Sequence, residues 1–167
     1  GVTHANDAHL FYLQGDAGCG KSWTIKRIIA DLRKEGHIVL PCAFMGSVAN
    51  ALPRGETLHH LFKLPITKEG EDLLDLMLSN RLPESKLEED SELASIIRAA
   101  SLIVIDEVSM VHRAYFRIIN ELLQKIMKSS LPFGGKCIVV TGDFKQIPPV
   151  IEGAADEKTT VSASILS

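Results

Sequence analysis

The sequence predicts an α/β fold, with helices on both faces of a mainly parallel central sheet. Short apolar runs alternate with stretches of helical period, the pattern of repeated strand–helix units. Leu102–Ile105 is apolar at four consecutive positions, and a strand with no polar side belongs inside a sheet covered twice. Leu10–Gln14 runs straight into a glycine-rich turn with a helical period behind it.

Taken in order, Leu10–Gln14 is the first strand. Ser22 to Lys34 is a helix with Trp23, Ile25, Ile28, Ile29 and Leu32 as its apolar residues, and Gly36 stands where a C-terminal cap belongs. A second strand reads through Ile38–Phe44. Gly46–Leu52 is a short helix stopped by Pro53, and Thr57–Phe62 is a further helical turn ahead of Pro65. The stretch 66–92 is acidic and poorly defined as an insertion, with one helix around Glu71–Leu78 and a polar linker after Pro83. Ser91 caps a helix through Ala100. After the Leu102–Ile105 strand, His112–Lys128 is amphipathic, with Tyr115, Ile119, Leu122 and Ile126 on one stripe and Glu121–Lys125 spaced as an i,i+4 pair. Cys137–Thr141 is the last strand, followed by a loop holding Pro148 and Pro149.

With 167 residues, 46% hydrophobic and 23% charged, the chain suits one globular domain over 1–167. No run nears the roughly 20 apolar residues of a membrane span, and Gly1–His9 carries no secretory signal pattern. Cys19, Cys42 and Cys137 are odd in number and far apart, so a reduced compartment is expected, cytoplasmic or nuclear, and not a secreted disulfide scaffold. Net charge is −3, unevenly spread. Residues 68–92 hold nine carboxylates against Lys68, Arg81 and Lys86, a local −6 that leaves the rest of the chain at +3. That stretch reads as a solvated face, and the balance says little about nucleic acid.

Chemistry concentrates in three segments. Gly15, Asp16, Ala17, Gly18, Cys19, Gly20, Lys21 and Ser22 form a complete G-x-x-x-x-G-K-S loop between a strand and a helix. Its glycines let backbone N–H groups converge on phosphate oxygens, and the helix dipole favours the same charge. Lys21 then reaches the β and γ phosphates of ATP, and the Ser22 hydroxyl ligates Mg²⁺. Asp106 and Glu107 end the apolar strand, which places two carboxylates at the sheet's carboxyl edge. There Asp106 can hold Mg²⁺ and Glu107 can polarise the attacking water. Gln146, in Gly142–Val150, is positioned by its loop to sense the γ-phosphate. On composition alone this third segment is equally readable as a proline-stiffened connection.

Val104-Ile105-Asp106-Glu107-Val108-Ser109-Met110-Val111, together with Gly142-Asp143-Phe144-Lys145-Gln146-Ile147-Pro148-Pro149-Val150, resembles the PIF-type (petite integration frequency) DNA helicases of superfamily 1, which include Helitron and RecD relatives. Gly55-Glu56-Thr57-Leu58-His59-His60-Leu61-Phe62 is similar to that family's G-x-T-x-H-S-x-F segment. The resemblance runs from about Leu10 to the C-terminus. It implies a RecA-like fold, ATP and Mg²⁺ as cofactors, and 5′-to-3′ movement on single-stranded DNA in repair, recombination and telomere maintenance, in the nucleus if the source is eukaryotic. Lys21, Glu107 and Gln146 would be catalytic, Ser22 and Asp106 would hold the metal, and Thr57 and His59 would lie near DNA.

The chain departs from that pattern in several places. Met45-Gly46-Ser47-Val48-Ala49 stands for T-G-x-A-A and lacks the threonine hydroxyl. His60 replaces a serine, and Cys19 replaces the common threonine, as a small spacer or as an activated thiol. No adenine-contacting glutamine occurs in Gly1–His9. The resemblance further implies that a second RecA-like domain is missing in cis, with its transition-state arginines. The expected fragment binds Mg-ATP, turns it over very slowly and unwinds nothing. Two other classes stay open: a P-loop enzyme that is no helicase, such as an AAA+ ATPase or a nucleotide kinase, and a non-catalytic, transposon-derived nucleotide-binding remnant. Oligomeric state is not legible.

Overall fold

The computed structural model of the chain describes residues 9–15, 18–66 and 72–142. Five strands form one sheet: β1 (Leu10–Gln14), β2 (Val39–Ala43), β3 (Glu56–Thr57), β4 (Leu102–Asp106) and β5 (Ile138–Gly142). Their order across the sheet is β1-β5-β4-β2-β3, and every pairing is parallel. The expected mainly parallel sheet is thus wholly parallel among the described residues. Among the described residues six helices accompany it: α1 (Lys21–Lys34), α2 (Gly46–Ala51), α3 (Leu58–Leu61), α4 (Leu73–Leu78), α5 (Glu92–Ala99) and α6 (Arg113–Met127).

β4 shows why the sheet has helices on both sides. All five of its residues are buried. Leu102 and Val104 join one core with Ile25 and Ile29 of α1, while Ile103 and Ile105 join the other with Ile118, Ile119, Leu122 and Ile126 of α6. Alternate residues of a strand face opposite sides, so a run of apolar residues serves two cores at once. Each large side chain so buried contributes about 1.5–3 kcal/mol relative to exposure.

α1 corrects one sequence expectation. Ile25, Ile28, Ile29 and Leu32 pack inward, but Trp23 is 71% exposed. At about 100° per residue, Trp23 sits about 200° from Ile25, on the opposite side of the helix. The α6 stripe holds as expected, with Tyr115, Ile119, Leu122 and Ile126 buried. Its surface pairing differs: Glu121 pairs with Arg117, and Lys125 reaches Glu89 across the molecule instead of Glu121.

Helix ends follow the side chains available. Asp72 and Ser91 cap α4 and α5, accepting the N–H of Leu74 at 2.8 Å and of Ala94 at 3.2 Å. The Lys136 ammonium, buried, donates to the carbonyls of Arg98 and Ala100 and closes the end of α5. Within the acidic stretch, Leu87 is buried, the Ser85 hydroxyl donates to the Phe62 carbonyl, and the Lys86 N–H donates to that of Lys63. These bonds strap residues 85–87 to the segment after α3.

β3 was not expected as a strand. It is two residues long and, among the described residues, pairs only with Cys42 and Ala43, so the first three residues of β2 stand at an edge of the described sheet. Pro41, which has no N–H, stands in that edge portion, the setting in which a sheet tolerates proline. The Arg33 guanidinium closes over it, donating to the carbonyls of Val39 and Pro53, both at 2.9 Å.

Candidate functional site

β1 ends opposite the last residue of β5, Gln14 beside Gly142, so the glycine-rich turn starts at the carboxyl edge of the sheet. At Gly15 a Cβ would lie 2.3 Å from Cys19 Sγ and 3.3 Å from Lys21 Cγ, so a side chain there would have to displace the Cys19 thiol. Gly18 and Gly20 have φ of +76° and +89°, left-handed values that favour glycine, and open space lies above both. Gly20 caps α1 without any side-chain hydrogen bond. The first-turn N–H groups of a helix have no intrahelical partners, and Gly20 has no side chain with which to cap them, a setting that suits an anion. The Lys21 ammonium donates to the Gly15 carbonyl across the loop. Asp16 and Ala17 lie outside the described residues.

On the other side of β5 stands the acid pair. Asp106 is buried, and its Oδ1 accepts the Glu107 N–H at 2.9 Å and the Thr141 hydroxyl. Glu107 takes a left-handed conformation (φ 53°, ψ 48°), a cost on the order of 1–2 kcal/mol outside glycine, and leads a 3-10 turn over Val108–Met110. The chain therefore turns sharply at the residue after Asp106, so the two carboxylates leave the strand end separately.

Ser22, Lys26, Ser47, Asp106 and Glu107 line one cleft of about 330 Å³ between α1, α2 and the end of β4. A larger hollow of about 520 Å³ lies near the start of β2, lined by His37–Leu40 and by Ile96 of α5, and contains none of these residues. The smaller cleft is the one that gathers the residues singled out in the sequence. The oxygens it offers are hard donors, among them the Ser22 hydroxyl and the Asp106 carboxylate. Among the described residues no group of three or more His, Cys, Asp or Glu could hold a metal alone. A cation here would complete its shell with phosphate and water, the habit of Mg²⁺.

Thr57 and His59 sit together at the β3–α3 junction, also at the carboxyl edge. The Thr57 hydroxyl caps α3 by accepting the His60 N–H at 3.2 Å. The His59 ring meets Tyr115 edge-on at 4.9 Å between centroids and leans on Phe44 at 5.5 Å. Burial pushes the His59 pKa down, which favours the neutral ring, and pushes the Tyr115 phenol up. His60, exposed, pairs with Glu56. Met45, standing where a hydroxyl was expected, occupies the cap position of α2 without a side-chain bond.

Three contributors went unnoticed in the sequence: Thr141, Ser47 and the Phe44–Tyr115 pair. A hydroxyl directly after the apolar run Ile138–Val140, still within the strand, is the signal for Thr141, since a buried polar atom needs a partner. The aromatic group, drawn from three distant segments, leaves no linear signal. Gln146 lies outside the described residues. Among those described, no helix is long and apolar enough to cross a membrane.

The profile of the PIF1-like helicase family matches residues 1–167. An ATP-dependent DNA helicase Pif1 of Bdellovibrio bacteriovorus is 33% identical over 139 residues, covering 83% of this chain and 29% of that protein. The ATP-dependent DNA helicase PIF1 of Emericella nidulans is 34% identical over 148 residues, covering 85% of this chain and 18% of that protein. The chain thus spans less than a third of the length of these curated relatives. In three dimensions it is similar to the Bacteroides Pif1 helicase solved in complex with ADP-AlF3 and ssDNA, with a TM-score of 0.67 and 28% identity over 95% of this chain and 33% of that one.

Proposed function

Because the chain belongs to the PIF1-like helicase family, we propose that it is the ATP-binding motor portion of a DNA helicase that couples hydrolysis to movement along single-stranded DNA. One observation carries the reading: the glycine-rich turn and the acid pair open on the same sheet edge with only β5 between them. Adjacent strands lie about 4.8 Å apart, so the two motifs stand roughly 10 Å from each other, a span that a polyphosphate can bridge.

In this reading the N–H groups of Gly18–Ser22 and the Lys21 ammonium hold the β and γ phosphates. Bound phosphate would draw Lys21 away from the Gly15 carbonyl. The Ser22 hydroxyl and the Asp106 carboxylate would hold Mg²⁺, which when bound neutralises phosphate charge. Glu107 orients and deprotonates the attacking water, and Gln146 contacts the γ-phosphate. Thr57 and His59 touch the single strand, with His59 neutral and braced by Tyr115 and Phe44. The 5′-to-3′ direction, genome maintenance as the setting, and a nuclear site in a eukaryote are part of the same proposal. Unwinding is assigned to proteins of the relatives' full length.

Trp23 is the chain's single tryptophan, exposed and next to Ser22, so its fluorescence serves as the reporter. Titration with Mg-ATP should shift it saturably. Lys21→Ala should weaken binding at least about tenfold, the loss expected for a charge-assisted hydrogen bond. Equal binding by the variant would rule out this loop as the site.

A further inference from the structure

We propose that Thr141 is a positioning residue for Asp106, fixing from the neighbouring strand which carboxylate oxygen faces the metal. The inference rests on the nucleotide site proposed above and goes beyond it. Thr141 is fully buried, and its hydroxyl donates to Asp106 Oδ1. The same oxygen accepts the Glu107 N–H at 2.9 Å. With two donors on Oδ1, the carboxylate cannot swivel without breaking both, and Oδ2 carries neither of these bonds in a residue that lines the cleft. A ligating carboxylate that is itself hydrogen-bonded keeps its orientation, and losing such a partner costs about 10–100-fold in metal affinity.

Thr141 is in turn held by what surrounds the next residue. A Cβ on Gly142 would lie 3.0 Å from Val108 Cγ1 and 3.3 Å from the backbone nitrogens of Val108 and Ser109, so glycine lets β5 close on the 3-10 turn without pushing its neighbours back. The Gly142 carbonyl accepts the Tyr12 hydroxyl at 3.2 Å, from β1 on the other side. The end of β5 is therefore clamped between the strand that leads into the glycine-rich turn and the turn that follows Glu107. Through Thr141 that clamp sets the metal-facing oxygen.

The test is metal-dependent nucleotide binding by the full chain, followed by a fluorescent ATP analogue with and without Mg²⁺. Thr141→Val removes the hydroxyl at nearly constant volume, and Thr141→Ser keeps it. Thr141→Val should raise the Mg²⁺ concentration for half-maximal enhancement about tenfold or more, with binding in EDTA unchanged. Thr141→Ser should stay within about twofold of the native chain. If Thr141→Val does not fold, Thr141→Cys, a weak donor of similar size, takes its place. A wild-type Mg²⁺ response from Thr141→Val, or equal losses from valine and serine, would overturn the proposal. Failure of the native chain to bind nucleotide at all, or to respond to Mg²⁺, would instead remove the site on which it rests.

Discussion

Among the described residues of the site, Glu107 is the one non-glycine residue with a left-handed backbone, at φ 53°, and that strain bears on its role. A left-handed, non-glycine residue persists where the surrounding structure holds it, here Asp106 on one side and the packed 3-10 turn on the other. Its side chain is thereby aimed independently of Asp106, which lies in the buried strand. Glu107→Gln keeps shape and hydrogen bonds but removes the basic oxygen. ATP affinity should stay within about twofold while single-turnover hydrolysis of radiolabelled ATP slows by about 10²–10⁴, the usual worth of a positioned base. At this scale the sequence is most legible where chemistry dictates residue type. The loop Gly15–Ser22 and the pair Asp106–Glu107 are readable because the proposed phosphate and metal contacts call for those groups in that order. Trp23 misleads because its hydrophobicity suggests burial, while helix geometry turns it outward. Thr141 is hidden because its partner lies 35 residues away in the chain.

Among the elements, α6 depends on a histidine. His112 Nδ1 accepts the Ala114 N–H at 3.1 Å, and the ring is buried. Accepting at Nδ1 requires the unprotonated nitrogen, so protonation costs both the cap and the burial of a charge. Burial pushes this imidazole pKa down, opposed by Asp72 and reinforced by Arg113, and burial does the same to His59. For a lowered folded pKa the stability is complete above the ordinary imidazole value of 6.5 and is lost as pH falls through the lowered one. Denaturant midpoints should hold steady from about pH 8 to 7 and decline toward about pH 5. His112→Asn, which can still cap, should flatten part of that decline. Long elements were readable in the sequence: β1 matches its expected bounds, and α1 and α6 begin and end within a residue of expectation. β3 was not, because two residues carry no period. The pairing of Lys125 with Glu89 was not either, since an i,i+4 rule sees only its own helix.

For the whole molecule, topology adds what no linear reading contains. Insertion of β5 between β1 and β4 brings the strand leading to Gln146 between the two motifs of the proposed nucleotide site, although it is the last of the described strands in the chain. The charge balance has a consequence at the same scale. Net charge is −3, and the proposed DNA contacts, Thr57 and His59, include no permanent cation. Contacts of this kind release few counterions. Binding of a labelled single-stranded oligonucleotide should therefore weaken by less than about tenfold between roughly 50 and 200 mM salt, since each neutralised phosphate contributes only about −0.7 to the logarithmic slope. A steep loss would mean that a basic surface elsewhere carries the strand.

The short β3 and its neighbours also govern how the protein behaves in crowded solution. A bare strand margin is a template on which other chains can add, and natural sheets blunt such margins with proline, charge or cover. Here Pro41 and the Arg33 guanidinium supply all three at the first half of β2. Arg33→Ala combined with Pro41→Val should leave the nucleotide cleft untouched yet raise light scattering on concentration or gentle warming. The margin of the sheet, rather than the rim that carries the proposed nucleotide site, would then set the practical solubility of the protein.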